Sequence, residues 1–378
     1  MKVLVVGSTG YVGMMLLRIL SSHPEIDAIV PVSRSAAGTT LREIDPGLGP
    51  AIEPLLAGTG GRLVRLEDAA PETADVIFSA LPHGAAAELV GPFVGTTPVI
   101  DLSADFRITS LERYEAVYAT KHPYPELLDR AVYGLTEWHR DEISTAAIIA
   151  CPGCYPTATL LPLLPFTDIV RTPAIVNALS GISGAGRKEK QDLLFNERSE
   201  NANAYNPGRA HRHVPEIEQE LARAAGRGGA GAAGAHFAGT ADANVTGAAD
   251  AGSAGAATAA APLEILFTPH LVPMKQGMIV TTVVELTRDL SQDEAEQRVR
   301  DAYEGSSFVG LSPRGIPQSR DVRNTNRCDL GVRVHGTHIE LFSAIDNLYK
   351  GAAGQGVQNM NVRLGLPEHL GLRAHGEF

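Results

Sequence analysis

Val3 to Val6 is an unbroken apolar run that gives way to Gly7-Ser8-Thr9-Gly10-Tyr11-Val12-Gly13, after which apolar positions return at helical intervals through Met14 to Leu20. A short apolar run followed by a 3.6-residue period reads as strand, tight turn and amphipathic helix. The motif recurs: Ala28 to Val32, Val76 to Leu81, Pro98 to Leu102 and Ile148 to Ala150 are further apolar runs separated by mixed segments. Strands apolar on both faces and alternating with helices predict a parallel sheet covered on both sides. Beyond residue 170 the pattern changes, with β-branched runs at Ile175 to Leu179, Leu263 to Thr268 and Met278 to Leu286. These predict a second domain built on a mixed or antiparallel sheet. From about 222 to 261 the chain is almost wholly Ala, Gly, Ser, Thr and Asp, which reads as a flexible surface insertion. Ser343 to Asn361 places small residues on one helical face, so a helix there packs closely against a neighbour.

The pattern therefore predicts an α/β protein with a Rossmann-type parallel-sheet domain over residues 1–153, completed by the C-terminal helix 343–378. Residues 154–342 form an α+β domain with a mixed or antiparallel sheet, carrying catalysis, substrate binding and oligomerisation. A chain of 378 residues has ample material for two such cores. The net charge of -11 argues against nucleic-acid binding, which depends on a basic surface. It leaves an anionic substrate open, because a local arginine pocket overrides the mean charge. Three cysteines are too few, and odd in number, for a disulfide framework, so a cytoplasmic protein is expected. No apolar run approaches the roughly 20 residues that span a bilayer, and the start of the chain is broken by glycine too soon to read as a signal peptide.

The turn Gly7, Ser8, Thr9, Gly10, Tyr11, Val12 and Gly13 has the G-x-x-G-x-x-G spacing of a dinucleotide site. Small residues let the backbone approach a pyrophosphate, whose charge meets the helix N-terminus. The second strand ends in Ser33-Arg34-Ser35, where an NAD-binding chain usually carries an acid; an Arg between two hydroxyls suits a 2′-phosphate, so NADP is expected. Ile148 to Thr159 reads as strand, Pro-Gly turn, and helix entered through Pro156, with Cys154 at the junction. Free N–H groups and the helix dipole there favour a thiolate, the attacking form of a nucleophilic cysteine. Arg107, in Ser103-Ala104-Asp105-Phe106-Arg107, is a candidate anion clamp or the ion-pair partner of Asp105. Arg187, in the second glycine-rich turn Ser180 to Lys188, is another anion candidate. His211-Arg212-His213-Val214-Pro215-Glu216 supplies two candidate bases, with Arg209 and Arg212 adding positive charge. A zinc or redox-switch protein using Cys151 and Cys154 with these histidines is the rival of another class. A zinc finger, however, spaces its histidines by three to five residues, and one residue separates these.

Taken together, the segments Gly7 to Gly13, Leu81 to Gly84, Asp101 to Arg107, Pro152 to Thr157, Ser180 to Arg187, His211 to His213 and Asp346 to Asn361 resemble the N-acetyl-γ-glutamyl-phosphate reductases, within the wider semialdehyde-dehydrogenase group. Pro152-Gly153-Cys154-Tyr155-Pro156-Thr157 is the most specific of them. The resemblance implies attack of Cys154 on an acyl phosphate, a thioester, and hydride delivery from NADPH, within arginine biosynthesis. It favours His213 over His211 as the base, places Arg107, Ser183, Arg187 and Glu216 at the substrate, and brings Asn347 to the nicotinamide. A homo-oligomer, dimer or tetramer, is implied, with no metal. The sequence departs from the pattern at Cys151, where the family commonly has asparagine, and in the Ala/Gly-rich insertion. Aspartate-semialdehyde dehydrogenase and a reductase of carrier-bound aminoadipyl phosphate stay open as related alternatives.

Overall fold

In the computed structural model, residues 1–226 and 263–376 are described. The apolar runs of the amino-terminal half become six parallel strands: β1 Lys2–Val6, β2 Ala28–Val32, β3 Val76–Ser79, β4 Val99–Asp101, β5 Val132–Tyr133 and β6 Ile148–Ala150. They lie in the order β2-β1-β3-β4-β6-β5. Val3, Leu4, Val5, Ile77, Phe78, Ile100 and Ile149 have no or almost no exposed surface, as a sheet covered on both faces requires. Helix α1 (Tyr11–Leu20) buries Leu16, Leu17, Ile19 and Leu20 against one of those faces.

The second sheet has seven strands: β7 Ala174–Ser180, β8 Asn203–Ala204, β9 Ile265–Leu271, β10 Met278–Glu285, β11 Val309–Leu311, β12 Cys328–His335 and β13 His338–Ile345. Their order is β11-β12-β13-β10-β7-β9-β8, with β11/β12 and β7/β9 parallel and the other pairs antiparallel, the mixed sheet expected. Along β7, Ala174, Val176, Ala178 and Ser180 are buried while Ile175 and Leu179 are 47% and 42% exposed, so one face packs and the other lies open. The packed face receives helix α2 (Cys154–Leu163), which lies against β10 and β13. The nucleophile candidate thus starts the helix that passes from the end of the first sheet onto the second.

Three expectations shift. The carboxyl-terminal helix does not begin at residue 343: Ser343 to Ile345 end β13, and helix starts as a π-helical turn at Tyr349–Ala353 before α3 (Gly354–Arg363). The reason is local, because Asp346 Oδ1 accepts from the N–H groups of Leu348 and Tyr349 and so caps the helix there. Helix α3 then packs on α1 and β4 of the first sheet. The low-complexity insertion does not begin at 222, since residues 222–226 finish the helix Val214–Gly226, and Ala224 is buried; the rest of that segment, to 261, lies outside the described residues. The β12–β13 hairpin was not anticipated, although its strands alternate around Gly336-Thr337, with Gly336 in the left-handed region at φ +58°. Among the described residues, no helix is long and apolar enough to cross a membrane.

Candidate active site

Cys154 is the first residue of α2, and Gly153 before it is extended, at φ -66° and ψ 157°. Gly351 in the π-helical turn lets that turn close over the cysteine, since a Cβ there would stand 2.7 Å from the Cys154 Cβ. The turn is pinned by Lys350, which is fully buried and donates from Nζ to Glu137 Oε1 at 2.7 Å and to Gln358 Oε1 at 2.8 Å. Burial pushes the Cys154 thiol up to about 11, while the Tyr155 N–H and the Arg107 charge pull the other way. Desolvation thus opposes the pull of the helix start on this thiol.

His213 and Arg107 meet over Gly153. A Cβ on this glycine would lie 2.7 Å from His213 Nε2 and 3.0 Å from Arg107 Nη1. His213 immediately precedes the helix Val214–Gly226, numbered α4 here after the helices already introduced. Burial, then the neighbouring His211, Arg107 and Arg212, hold it well below the usual histidine range, so its imidazole is neutral. Its Nδ1 is buried with no hydrogen-bond partner. His211 stands one step back: its Nδ1 accepts from the His213 N–H at 3.2 Å, and its ring packs edge-on to Tyr155 and Phe267.

Glu216, in the first turn of α4, is fully buried. Its Oε1 accepts from the Gly153 N–H at 3.0 Å and the Tyr133 hydroxyl at 2.8 Å, and its Oε2 lies 3.4 Å from Arg107 Nη1. Both oxygens are thus turned to protein donors, and the side chain ties α4, the turn before Cys154 and Arg107 together. Asp105 is not the partner of Arg107; it accepts from the N–H groups of Gly84 and Ala87 and from the Tyr114 hydroxyl. Arg209 is engaged by Glu218 through two hydrogen bonds.

Of the remaining candidates, Arg187 reaches the glycine turn, and Ser183 and Asn347 bind each other. Arg187, expected at the substrate, donates to the Thr9 carbonyl at 2.8 Å and so reaches the glycine turn, away from Arg107. Ser183 Oγ accepts from Asn347 Nδ2 at 2.9 Å, and Asn347 Oδ1 accepts from the Gly277 N–H at 2.7 Å, which joins the second glycine-rich loop to the segment capping the carboxyl-terminal helix. The Gly7–Gly13 turn fits a dinucleotide. Gly7 has φ +90°, and a Cβ there would lie 2.6 Å from the Ala80 carbonyl oxygen; one on Gly13 would lie 2.3 Å from the Gly7 carbonyl oxygen. No side chain caps α1, so its first N–H groups are available to a phosphate. Ser33 is buried at the end of β2, whereas Arg34 and Ser35 beside it are exposed.

Cys151 belongs to the core of the first sheet, and Cys154 packs against that of the second. Cys151 Sγ accepts from Asn359 Nδ2 at 3.4 Å, and burial pushes its thiol up to about 12. Both cysteines are free, and among the described residues no three His, Cys, Asp or Glu side chains gather where a metal ion could be held. Sequence reading missed Tyr133, Lys350 and Glu137. Their roles come from contacts between residues far apart in sequence, which no local pattern encodes.

A cysteine at a helix start, a buried histidine and an arginine meeting over the glycine before it, and a glycine-built turn shaped for a dinucleotide are the parts of a nicotinamide-dependent oxidoreductase. The chain belongs to the semialdehyde dehydrogenase family: the NAD binding domain of that family matches residues 2–146, and its dimerisation domain matches 154–236 and 251–347. Among curated relatives, proteins named N-acetyl-gamma-glutamyl-phosphate reductase from Geotalea daltonii and Alkaliphilus metalliredigens are 40% and 39% identical. They align with 100% and 97% of this chain and with 99% and 96% of their own lengths. Among solved structures, aspartate semialdehyde dehydrogenase II from Vibrio cholerae, complexed with ASA, superposes with a TM-score of 0.63 at 17% identity, covering 96% of this chain and 98% of its own. The Candida albicans aspartate semialdehyde dehydrogenase with NADP gives 0.63 at 18%, covering 97% and 99%. At that identity the two structures speak for the fold alone.

Proposed function

We infer that the protein reduces N-acetyl-γ-glutamyl phosphate to N-acetylglutamate 5-semialdehyde with release of phosphate, the reductive step of arginine biosynthesis. The observation that carries this reading is the convergence of His213 Nε2 and Arg107 Nη1 on the glycine before Cys154, in a chain similar to such reductases along its length. Burial raises the Cys154 thiol, so attack draws on a base, and a neutral imidazole is one. His213 takes the Cys154 proton as Sγ bonds to the acyl carbon. The carbon–oxygen bond to phosphate breaks, phosphate leaves toward the Arg107 charge, and the acyl group remains as a thioester on Sγ. NADPH, held at the Gly7–Gly13 turn, supplies the hydride when bound. When the aldehyde departs, Sγ leaves as thiolate and recovers its proton from His213; the one proton that the overall reduction consumes is taken from solvent by the departing phosphate, which leaves as hydrogen phosphate. Glu216 touches no reacting atom; it fixes the Gly153 N–H and Arg107.

Specificity for NADP over NAD is assigned to Ser33, Arg34 and Ser35, where a guanidinium replaces the acid that would bind a ribose hydroxyl. Asn347 is assigned to the nicotinamide, with Ser183, its hydrogen-bond partner, on the substrate beside it, and Arg187, bonded to the Thr9 carbonyl, stands between the substrate loop and the glycine turn. The open face of the second sheet, with Ile175, Leu179 and Leu266 exposed, is the face through which the chain forms a homodimer or larger oligomer. Three free thiols suit the reducing cytoplasm. The test is phosphate-dependent reduction of NADP by N-acetylglutamate 5-semialdehyde, set beside aspartate semialdehyde. Turnover of the acetylated compound is expected; turnover of aspartate semialdehyde alone would keep the chemistry and reassign the substrate.

A further inference from the structure

We propose that Arg212, His83 and Tyr118 form a second oxyanion subsite in this active site, separate from Arg107, holding one of the two anionic ends of the substrate. The proposal rests on the acyl-phosphate reading, whose substrate carries a phosphoryl group at one end and a carboxylate at the other.

The three residues come from different parts of the chain: His83 follows β3, Tyr118 ends the helix Leu111–Tyr118, and Arg212 separates the two active-site histidines. Arg212 Nη1 lies 3.1 Å from His83 Nδ1, and the His83 ring stands 5.4 Å from that of Tyr118. A guanidinium only donates, so Nδ1 of His83 must be the acceptor and its imidazole is neutral. Burial and the Arg212 charge also push His83 below the usual histidine range, with Asp105 pulling weakly the other way. Nearby arginines are matched by carboxylates, Arg107 by Glu216 and both Arg113 and Arg209 by Glu218. The contact of the exposed Arg212 is with an uncharged ring, and among the described residues no carboxylate pairs with its charge.

Tyr118 supplies an independent observation. Its hydroxyl is buried with no hydrogen-bond partner. Burial and Glu216 push the phenol up to about 12 while Arg107 and Arg212 oppose them, so the hydroxyl stays a donor that lies within electrostatic range of both guanidinium groups. An orphaned buried hydroxyl is destabilising. An oxyanion bridging Arg212 and Tyr118 would satisfy it and neutralise the free charge together. His83 orients the guanidinium without competing for that charge.

The reaction run backward separates the two anions, because inorganic phosphate and the semialdehyde are then distinct substrates with distinct KM values. Arg212→Gln and Tyr118→Phe are compared with wild type, and Arg209→Gln, whose charge is already paired with Glu218, serves as the control. We expect Arg212→Gln to raise one KM roughly tenfold or more, the size of a lost charge-assisted hydrogen bond, and by a larger factor than it lowers kcat. Tyr118→Phe should raise the same KM, Arg212→Lys should recover part of the loss, and the control should move neither KM by more than about twofold. A rise confined to the semialdehyde KM assigns the subsite to the carboxylate, and one confined to phosphate assigns it to the phosphoryl group. Unchanged KM values in both Arg212→Gln and Tyr118→Phe would overturn the proposal. An inactive wild type would instead defeat the acyl-phosphate reading.

Discussion

Gly153→Ala separates chemistry from stability more sharply than any other single change at this site. The backbone at Gly153, φ -66° and ψ 157°, is open to any L-residue, so alanine fits the local conformation. What does not fit is the methyl group, which would stand 2.7 Å from His213 Nε2, 2.9 Å from its Cε1 and 3.0 Å from Arg107 Nη1. Ordinary van der Waals contact begins at 3.4 Å, so the imidazole must retreat by about 0.7 Å or the turn must move by as much. A displacement on the order of 1 Å in a catalytic group costs ~10²-fold in rate, and loss of general-base function ~10²–10⁴-fold. We therefore expect kcat to fall at least ~10²-fold. The lost freedom of glycine in the unfolded chain contributes about 0.4–1 kcal/mol in favour of the variant. This offsets part of the strain, and Tm should stay within a few degrees of wild type. The assay pairs thermal unfolding with phosphate-dependent NADP reduction, and adds the double variant Gly153→Ala/His213→Ala. If both changes act on the same proton transfer, the double variant should be no slower than His213→Ala alone. Gly153→Ala at more than a third of wild-type kcat, or fully additive losses in the double variant, would refute the geometry.

Removing Glu216 as Glu216→Ala should destabilise the fold by about 3–5 kcal/mol, because it strands the buried Arg107 charge and the Gly153 N–H; denaturant unfolding checks this. Lys350→Met should be similarly harmful in the same assay, whereas pairing it with Glu137→Leu should recover much of the loss, since the two apolar side chains leave neither charge buried alone. Alkylation of Cys154 should be slow at neutral pH and accelerate toward its raised value of about 11; a plateau already reached near pH 7 would show a resting thiolate. Stability should fall as pH drops below about 6.5 and toward 4. Burial and Arg212 lower His211 to about 4, and His213 lies well below its ordinary value, so over that window the unfolded chain binds protons that the native state refuses. Leu179→Asp, on the open face of the second sheet, should shift sedimentation toward the monomer.

What the sequence made legible was what short stretches encode by themselves. The glycine turn was readable because Gly7 needs φ +90° and Gly13 has no room for a Cβ against the Gly7 carbonyl, and both requirements leave a mark at fixed spacing. The Cys154 junction was readable because strand, Pro-Gly turn and helix are contiguous. Asp346 marks the start of the carboxyl-terminal helical segment as its cap, and the residues before it, Ser343 to Ile345, belong to a strand. The role of Glu216 was not legible, since its partners Gly153 and Tyr133 are 63 and 83 residues away. Nor was the destination of Arg187: a glycine-rich loop tells where the chain bends and not which carbonyl the side chain reaches. The burial that raises the Cys154 thiol was not legible for a related reason. The helix terminus is visible in a dozen residues, while the desolvation that opposes it is set by the whole surrounding core.

The central claim is that an acyl group passes through Cys154 and no other thiol. Intact and peptide mass spectrometry of the protein mixed with N-acetyl-γ-glutamyl phosphate, without NADPH, tests it directly. One acyl group is expected on Cys154, absent in Cys154→Ser, present in Cys151→Ser, and discharged when NADPH is added. Acylation of Cys151, or full turnover by Cys154→Ser, would contradict it.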